Sequence, residues 1–220
     1  MPNHVDLSHV ITDGMLTYPG LPAPHVHEHL SRADAEHIYG PGVTFQIGMI
    51  TMCTNTGTYL DVPFHRFADG HDLTGLALDR VSQVPGICID CKGVMAIGPD
   101  VLHGLDLAGK AVLFRTGHSR HFGTPEYFAP HPHLTTATAQ ALVTAGVALA
   151  GIDSLNIDAT HSPAGDGRPV HTTLLRAGVP IVEHLTNLAA LPHTGFTFTA
   201  VPPKVAGLGT FTVRAHAVVG

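Results

Sequence analysis

The chain has 220 residues, 44% of them hydrophobic and only 13% charged; this is enough for a single domain with a sizeable core and excludes a disordered chain. Eleven Lys+Arg against 17 Asp+Glu leave a formal charge of −6, and no basic run or nucleic-acid motif appears, so nucleic acid is not an expected partner. No apolar stretch reaches spanning length, and Met1 is followed by PNHVDLSH, so neither a membrane helix nor a secretory leader is expected.

The opening, VDLSHVITDGMLTYPGLPAP, reads as a short extended run, a turn at Asp13-Gly14 and a Pro/Gly-rich loop. His25, His27 and His29 follow, alternating with Val26 and Glu28 in a segment expected to be exposed. The chain holds 18 histidines and no tryptophan; such a count invites a metal hypothesis, yet most of these residues are expected to be solvated. Residues 43–52 alternate as a strand, which leads into TNTGTYLDVPFH, and Asp69-Gly70 closes that region. Residues 86–90 read as a second strand. The CIDC pair, Cys88 and Cys91, sits in the same extended run, GICIDCKGV, so the two side chains should face opposite ways at the strand period. They are expected to be small buried residues; a redox protein built on them would need both on one face. With Cys53 the cysteine count is odd, which argues against a disulfide scaffold and fits a reducing cytoplasm.

Gly98-Pro99-Asp100 should start a short helical stretch, VLHGL, and residues 111–115 (AVLFR) a buried strand. After a polar loop with Gly117, His118 and Gly123, Thr135 or Thr136 caps a helix that runs to about Ala145 and ends at Gly146. Residues 147–153 form a further buried strand, and residues 156–168 a Gly/Pro/Asp-rich loop long enough to be functional. A short helix over 171–177, a strand over 179–183 and terminal strands over 196–201 and 210–218 complete the chain. Strands and helices interleave with no repeat or linker, which predicts one α/β domain over residues 1–220.

Two segments concentrate reactive side chains. In TNTGTYLDVPFH, residues 54–65, Gly57 permits a tight turn and Val62 before Pro63 favours extended backbone. Alternate residues then share a face, so Tyr59, Asp61 and His65 are expected to project into one cavity, an arrangement suited to general-base or metal chemistry. The plainer alternative is a turn in which Asp61 accepts backbone N–H groups and His65 lies at the surface. In RPVHTTLLRAGVPIVEHLTNL, residues 168–188, His171 stands at a helix start and Glu183 at the end of an apolar strand. A buried carboxylate must be ion-paired, hydrogen-bonded or metal-bound, and open α/β sheets bind ligands at the carboxyl ends of strands. Here the alternative is an ion pair with Arg168 or Arg176 and a solvent-facing His171. Tyr18, Phe64 and Phe67 supply either an aromatic wall for a substrate or ordinary core.

Together these segments resemble the cyclase-like metal hydrolase family that includes bacterial kynurenine formamidase and isatin hydrolase. The resemblance is carried by DLSHVITDGMLTYPGLPAP, by FRTGH (residues 114–118), by GIDSLNID (residues 151–158) and by the family's His-x-Gly-Thr-His-x-Asp-x-Pro-x-His pattern. Here that pattern reads Asn55-Thr56-Gly57-Thr58-Tyr59-Leu60-Asp61-Val62-Pro63-Phe64-His65, and the family's distal His and Glu look like His171 and Glu183. The resemblance implies a single domain of the swivelling β/β/α type, in homodimers or homotetramers with the site near a subunit boundary. It implies one or two divalent metals, zinc or manganese, with Asp61, His171 and Glu183 as ligands and His65 as acid/base. Asn55 and Tyr59 stand where two histidines are expected, a departure that removes or weakens one metal position, because an amide oxygen is a weak zinc ligand and a phenol is normally protonated.

Three outcomes stay open. One metal persists on Asp61, His171 and Glu183. Or no metal binds, Tyr59 and Asn55 donate hydrogen bonds to a substrate carbonyl, and His65 or Glu183 moves protons. Or the pocket binds a small molecule without turnover. The implied reaction is attack of water on an amide, lactone or imide carbonyl, with an arylformamide, a cyclic amide or ester, or a ring-closing reaction as candidates.

Overall fold

The computed structural model describes residues 3–160 and 167–220, so part of the loop expected over 156–168 lies outside the described residues. In chain order its first half contains β1 (Asn3–Asp6), β2 (His25–Leu30), α1 (Arg32–Tyr39), β3 (Ile47–Thr51), β4 (Tyr59–Asp61), β5 (Val84–Asp90), β6 (Ala96–Ile97) and β7 (Ala111–Arg115). There follow β8 (His133–Leu134), α2 (Thr136–Ala145), β9 (Leu149–Ile152), α3 (Pro169–Arg176), β10 (Ile181–Glu183), β11 (Phe196–Thr199), β12 (Thr210–Thr212) and β13 (His216–Val219).

Nine of these strands form one mixed sheet in the order β1-β13-β11-β5-β7-β9-β10-β4-β12. Its centre, β5, β7, β9 and β10, is parallel. These are the continuous apolar runs, and they are buried on both faces, as parallel strands covered on each side must be. Strand alternation divides the core in two. Cys88, Leu113, Leu149 and Val182 pack on one face; Ile87, Val112, Phe114 and Ile181 pack on the other with Val170, Leu174 and Leu175 of α3. Cys88 lies in the first layer and Cys91 in the second, as the strand period requires, and burial pushes both thiols up to about 12.

The sheet curls until its ends approach one another. β12 lies on one edge beside β4, while β13 pairs with β1 and β11 near the other. The expected single strand over 210–218 is therefore two strands, broken at residues 213–215, where Val213 N donates to Thr58 O and Leu7 N to Ala215 O. Such curling satisfies edge groups that an open sheet would leave exposed. The resulting single α/β domain agrees with the fold class expected from the sequence.

Local expectations were altered in three places. The short helical stretch expected as VLHGL, residues 101–105, is a 3₁₀ turn over Pro99–Leu102. α3 starts at Pro169, two residues before His171, because proline is preorganised for the first helical position. The histidine-rich segment is exposed as expected, but it is strand β2, paired with β3 in a separate two-stranded ribbon. Among the described residues no helix is long and apolar enough to cross a membrane.

Candidate active site

Sheet register sets the geometry. β4 runs between β10 and β12, with Tyr59 opposite Glu183 and Thr212, and Asp61 opposite Ile181 and Thr210. Directly opposed residues share a face. Tyr59, Asp61, Glu183 and Thr210 thus project together, while Leu60, Val182 and Phe211 turn to the other side and into the core. α3 packs on the site face through Val170, Leu174 and Leu175, and this brings down His171 from its first turn.

His65 reaches the site by a different route from the one expected. The extended alternation ends at Asp61; Val62 is still extended, and Pro63 then opens a 3₁₀ turn, Pro63–His65. Proline's fixed φ starts the turn, and its tight winding sets His65 back on the side of Asp61. The turn is held by His65 N donating to Val62 O at 2.8 Å and Val62 N donating to Gly209 O at 2.8 Å. Gly209 must be glycine for this approach, since a Cβ there would lie 2.1 Å from His65 N.

The Thr210 hydroxyl joins the two motif residues. It donates to Asp61 Oδ1 and lies 2.8 Å from His65 Nδ1. An ionised carboxylate only accepts and a threonine has one proton, so His65 donates from Nδ1 and keeps Nε2 as its base. Burial opposes ionisation of the fully buried Asp61, but the His171 imidazole at 3.6 Å, with His65 and Thr210, outweighs it and holds the carboxyl below its ordinary range.

His171 is fixed from behind. Asp158 accepts from Val170 N and His171 N at the start of α3, and its Oδ2 lies 2.6 Å from His171 Nδ1. Nε2 is thereby aimed between Asp61 Oδ2 at 3.6 Å and Glu183 Oε1 at 3.7 Å. Burial alone would lower the His171 pKa; Glu183, Asp158 and Asp61 together push it up to about 10. Burial in turn raises Glu183 to about 7 against the opposing charge of His171. Glu183 finds neither expected arginine. It accepts from the Tyr59 hydroxyl at 2.6 Å, from Ile157 N at 2.5 Å and from Asn156 Nδ2 at 3.4 Å. Arg176 instead pairs with Asp69, and Arg168 bonds the Tyr18 hydroxyl.

These residues fit a bound cation. Asp61 Oδ2 is buried with no hydrogen-bond partner, and a buried imidazole nitrogen between two carboxylates calls for a proton or a metal ion there. The Asp158–His171 contact is the outer support that metal-binding histidines use. Among the described residues, Asp61, His65 and His171 bring ligand atoms within 4.8 Å of one another. This compact group takes in Asp61 and His171, and it contains His65 where the sequence reading placed Glu183. Because Thr210 occupies Nδ1, His65 has one nitrogen left, for a metal or for proton transfer but not both.

A cavity of about 220 Å³ opens onto this cluster. Of the expected residues, Tyr18, Asn55, Tyr59, His65, His171 and Glu183 line it. Asp61 lies beneath, fully buried. Phe64 does not line it and is 37% exposed, because the 3₁₀ turn that brings His65 inward turns its neighbour outward. Phe67 lies under the Arg176 guanidinium at 3.6 Å, so the aromatic wall is Tyr18 and Tyr59. Tyr59 gives its single hydroxyl proton to Glu183, which leaves the Asn55 amide as the better placed of the two to meet a substrate carbonyl.

Sequence reasoning missed Asp158, Asn156, Thr210, Arg66 and Arg168 as site residues. Asp158 carried a signal, an acid preceding a loop and a helix start that also bears a histidine. Thr210 carried none, lying 149 residues from Asp61.

The chain is similar in sequence and in fold to known proteins. The Cyclase family model, described as "Putative cyclase", matches residues 5–159. Kynurenine formamidase of Bacillus cereus is 29% identical over 213 residues, covering 96% of this chain and 95% of its own. That of Salinibacter ruber is 31% identical over 173 residues, covering 77% and 78%. Isatin hydrolase A from Ralstonia solanacearum superposes with a TM-score of 0.85 at 25% identity, over 100% of this chain and 92% of its own. A structure described as a "Potential Metal-Dependent Hydrolase With Cyclase Activity" gives 0.79 at 25% identity, over 100% and 99%. The family match takes in the Asp61 motif and the strand that leads to Asp158, and this chain belongs to the cyclase family.

Proposed function

We propose that this member of the family hydrolyses a carbon–nitrogen amide bond of a small molecule, an arylformamide or a cyclic amide, held in the 220 Å³ cavity. The observation that carries this reading is the Asp61–Thr210–His65 chain of hydrogen bonds, which leaves His65 Nε2 as a base at the cavity wall. The kynurenine formamidase and isatin hydrolase relatives support the bond type.

In this mechanism His65 Nε2 takes a proton from the attacking water and returns it to the leaving nitrogen. Asn55 offers its amide to the carbonyl oxygen, and Tyr59 holds Glu183 in place. A divalent ion, zinc or manganese, held by Asp61 and His171 would supply Lewis-acid polarisation of the carbonyl and a more acidic water. The buried cluster keeps those two side chains aimed at one point, through Thr210 on one side and Asp158 on the other.

Purified protein offered arylformamides, cyclic amides and lactones, with elemental analysis of the same preparation, tests the reading. Amide turnover with one ion per chain supports it. Two ions per chain would contradict the roles given to Asn55 and Tyr59. Turnover without metal would leave the amide chemistry to the protein groups alone. Binding without turnover would make the pocket a receptor.

Assembly as a homodimer or homotetramer is part of the same proposal. It is supported by the exposed apolar side chains Val26, Ile47, Met49 and Ile50 of the β2–β3 ribbon. Residence in the cytoplasm is proposed from the three free cysteines.

A further inference from the structure

The cavity is lined by two chemically distinct sets of side chains. One is the imidazole and carboxylate cluster; the other is Arg66, Arg168 and Tyr18. Three of the six other arginines have an acid beside them: Arg115 pairs with Asp90, Arg176 with Asp69 and Arg214 with Asp6. The two arginines of the cavity do not. Arg66 donates to Thr172 Oγ1 at 3.2 Å and Gly167 O at 3.0 Å. Arg168 donates from Nη2 to the Tyr18 hydroxyl at 3.0 Å, and among the described residues neither has a carboxylate within ion-pair distance.

Arg168 is the more telling of the two. Its Nη1 is buried and has no hydrogen-bond partner. A buried charged donor left unpaired is costly, and such a group calls for a partner, whether a water, an ion or a ligand. Arg168 is also held in place with a left-handed backbone, φ 57°, at the residue before α3, a conformation uncommon outside glycine. Because the Tyr18 oxygen accepts from Arg168 Nη2, the Tyr18 proton remains free to donate. Arg168 and Tyr18 both line the cavity, so the guanidinium and the Tyr18 hydroxyl together offer donors at this wall.

We propose that this pair binds a carboxylate on the substrate, so that the enzyme selects acid-bearing amides over neutral ones and Arg168 sets that specificity. The proposal rests on the amide-hydrolase reading of the cavity. Charge-assisted hydrogen bonds suit this task, since a planar guanidinium matches the carboxylate fork. Arg66 adds a second positive charge to the same wall without a direct contact being required of it.

The test pairs arylformamides carrying a carboxylate, on the ring or on a short side chain, with the corresponding carboxamides. The wild-type protein should favour the acids in kcat/KM. Arg168→Gln should lower kcat/KM for the acids by roughly 10- to 100-fold, mainly through KM, and lower it for the carboxamides by much less. Tyr18→Phe should give a smaller loss of the same kind, and it serves as the second variant if Arg168→Gln does not fold. Calorimetry with 2-aminobenzoate and 2-aminobenzamide reads the same preference without turnover. Failure to hydrolyse any amide would refute the hydrolase reading, while an acid preference abolished by Arg168→Gln would still uphold the donor pair. Equal treatment of acid and carboxamide by the wild-type protein, or equal losses on both in Arg168→Gln, would overturn it.

Discussion

Thr210 illustrates how much one side chain decides at the residue scale. Its hydroxyl fixes which nitrogen of His65 is basic, just as Asp158 fixes which nitrogen of His171 faces the cluster. Replacing His65 with Ala should lower kcat by ~10²–10⁴-fold, the usual contribution of a positioned acid or base; a steady-state assay with an unchanged melting temperature checks this. Asp158→Asn should weaken metal affinity by ~10–100-fold, read by competition with a chelator. Unchanged affinity would show that the carboxylate serves only as the cap of α3. At this scale the sequence exposed Asp61, His65, His171 and Glu183, because a conspicuous local pattern surrounds each. Phe64 was misread because aromatic character says nothing about direction, and direction was set by the 3₁₀ turn that Pro63 begins.

Among the elements, the approach of β12 to the Pro63–His65 turn carries most of the constraint. A Cβ at Gly209 would meet His65 N at 2.1 Å and Phe64 C at 2.6 Å, both backbone atoms. Neither can move without disturbing the pairing of Val62 with Gly209. Gly209→Ala should therefore destabilise the protein by roughly 1–3 kcal/mol, read from urea unfolding, and should reduce turnover as well by displacing His65. Strands β5, β7 and β9 were legible because buried parallel strands are continuous apolar runs. α2 was legible because Thr135 and Gly146 cap it, with Gly146 at φ 69°. The β2–β3 ribbon was not fully legible: His25, His27 and His29 alternate with Val26, Glu28 and Leu30 as strand residues do, but Glu28 interrupts the apolar face and weakens its signature.

The whole molecule adds a pH dependence that belongs to no single element. His184 is buried, donates from Nε2 to Leu155 O at 2.8 Å and packs against Tyr59 and Tyr127. His9 stacks on Phe122 at 3.7 Å. Burial lowers His184 to about 3 and His9 to about 4, whereas both titrate near 6.5 in the unfolded chain. The unfolded state therefore binds protons first as pH falls. The stability these residues contribute is complete above about pH 6.5 and is lost progressively towards pH 3–4. Thermal melts from pH 8 to pH 4 should show this decline, less steeply in His9→Gln. Parallel curves for the two proteins would exclude His9 as a contributor.

By itself the sequence determined an α/β chain, its central strands and caps, its membership among the cyclase-like hydrolases and the acids and imidazoles available for chemistry. These are local properties, written in hydrophobic period, turn residues and motif spacing. Only the tertiary structure decided that Thr210 lies between Asp61 and His65, that Tyr59 rather than an arginine satisfies Glu183, and that Arg168 stands at the cavity with a donor to spare. Each of these contacts joins residues more than a hundred positions apart or depends on the curl of the sheet, and the register of β4 between β10 and β12 is not encoded in any one segment.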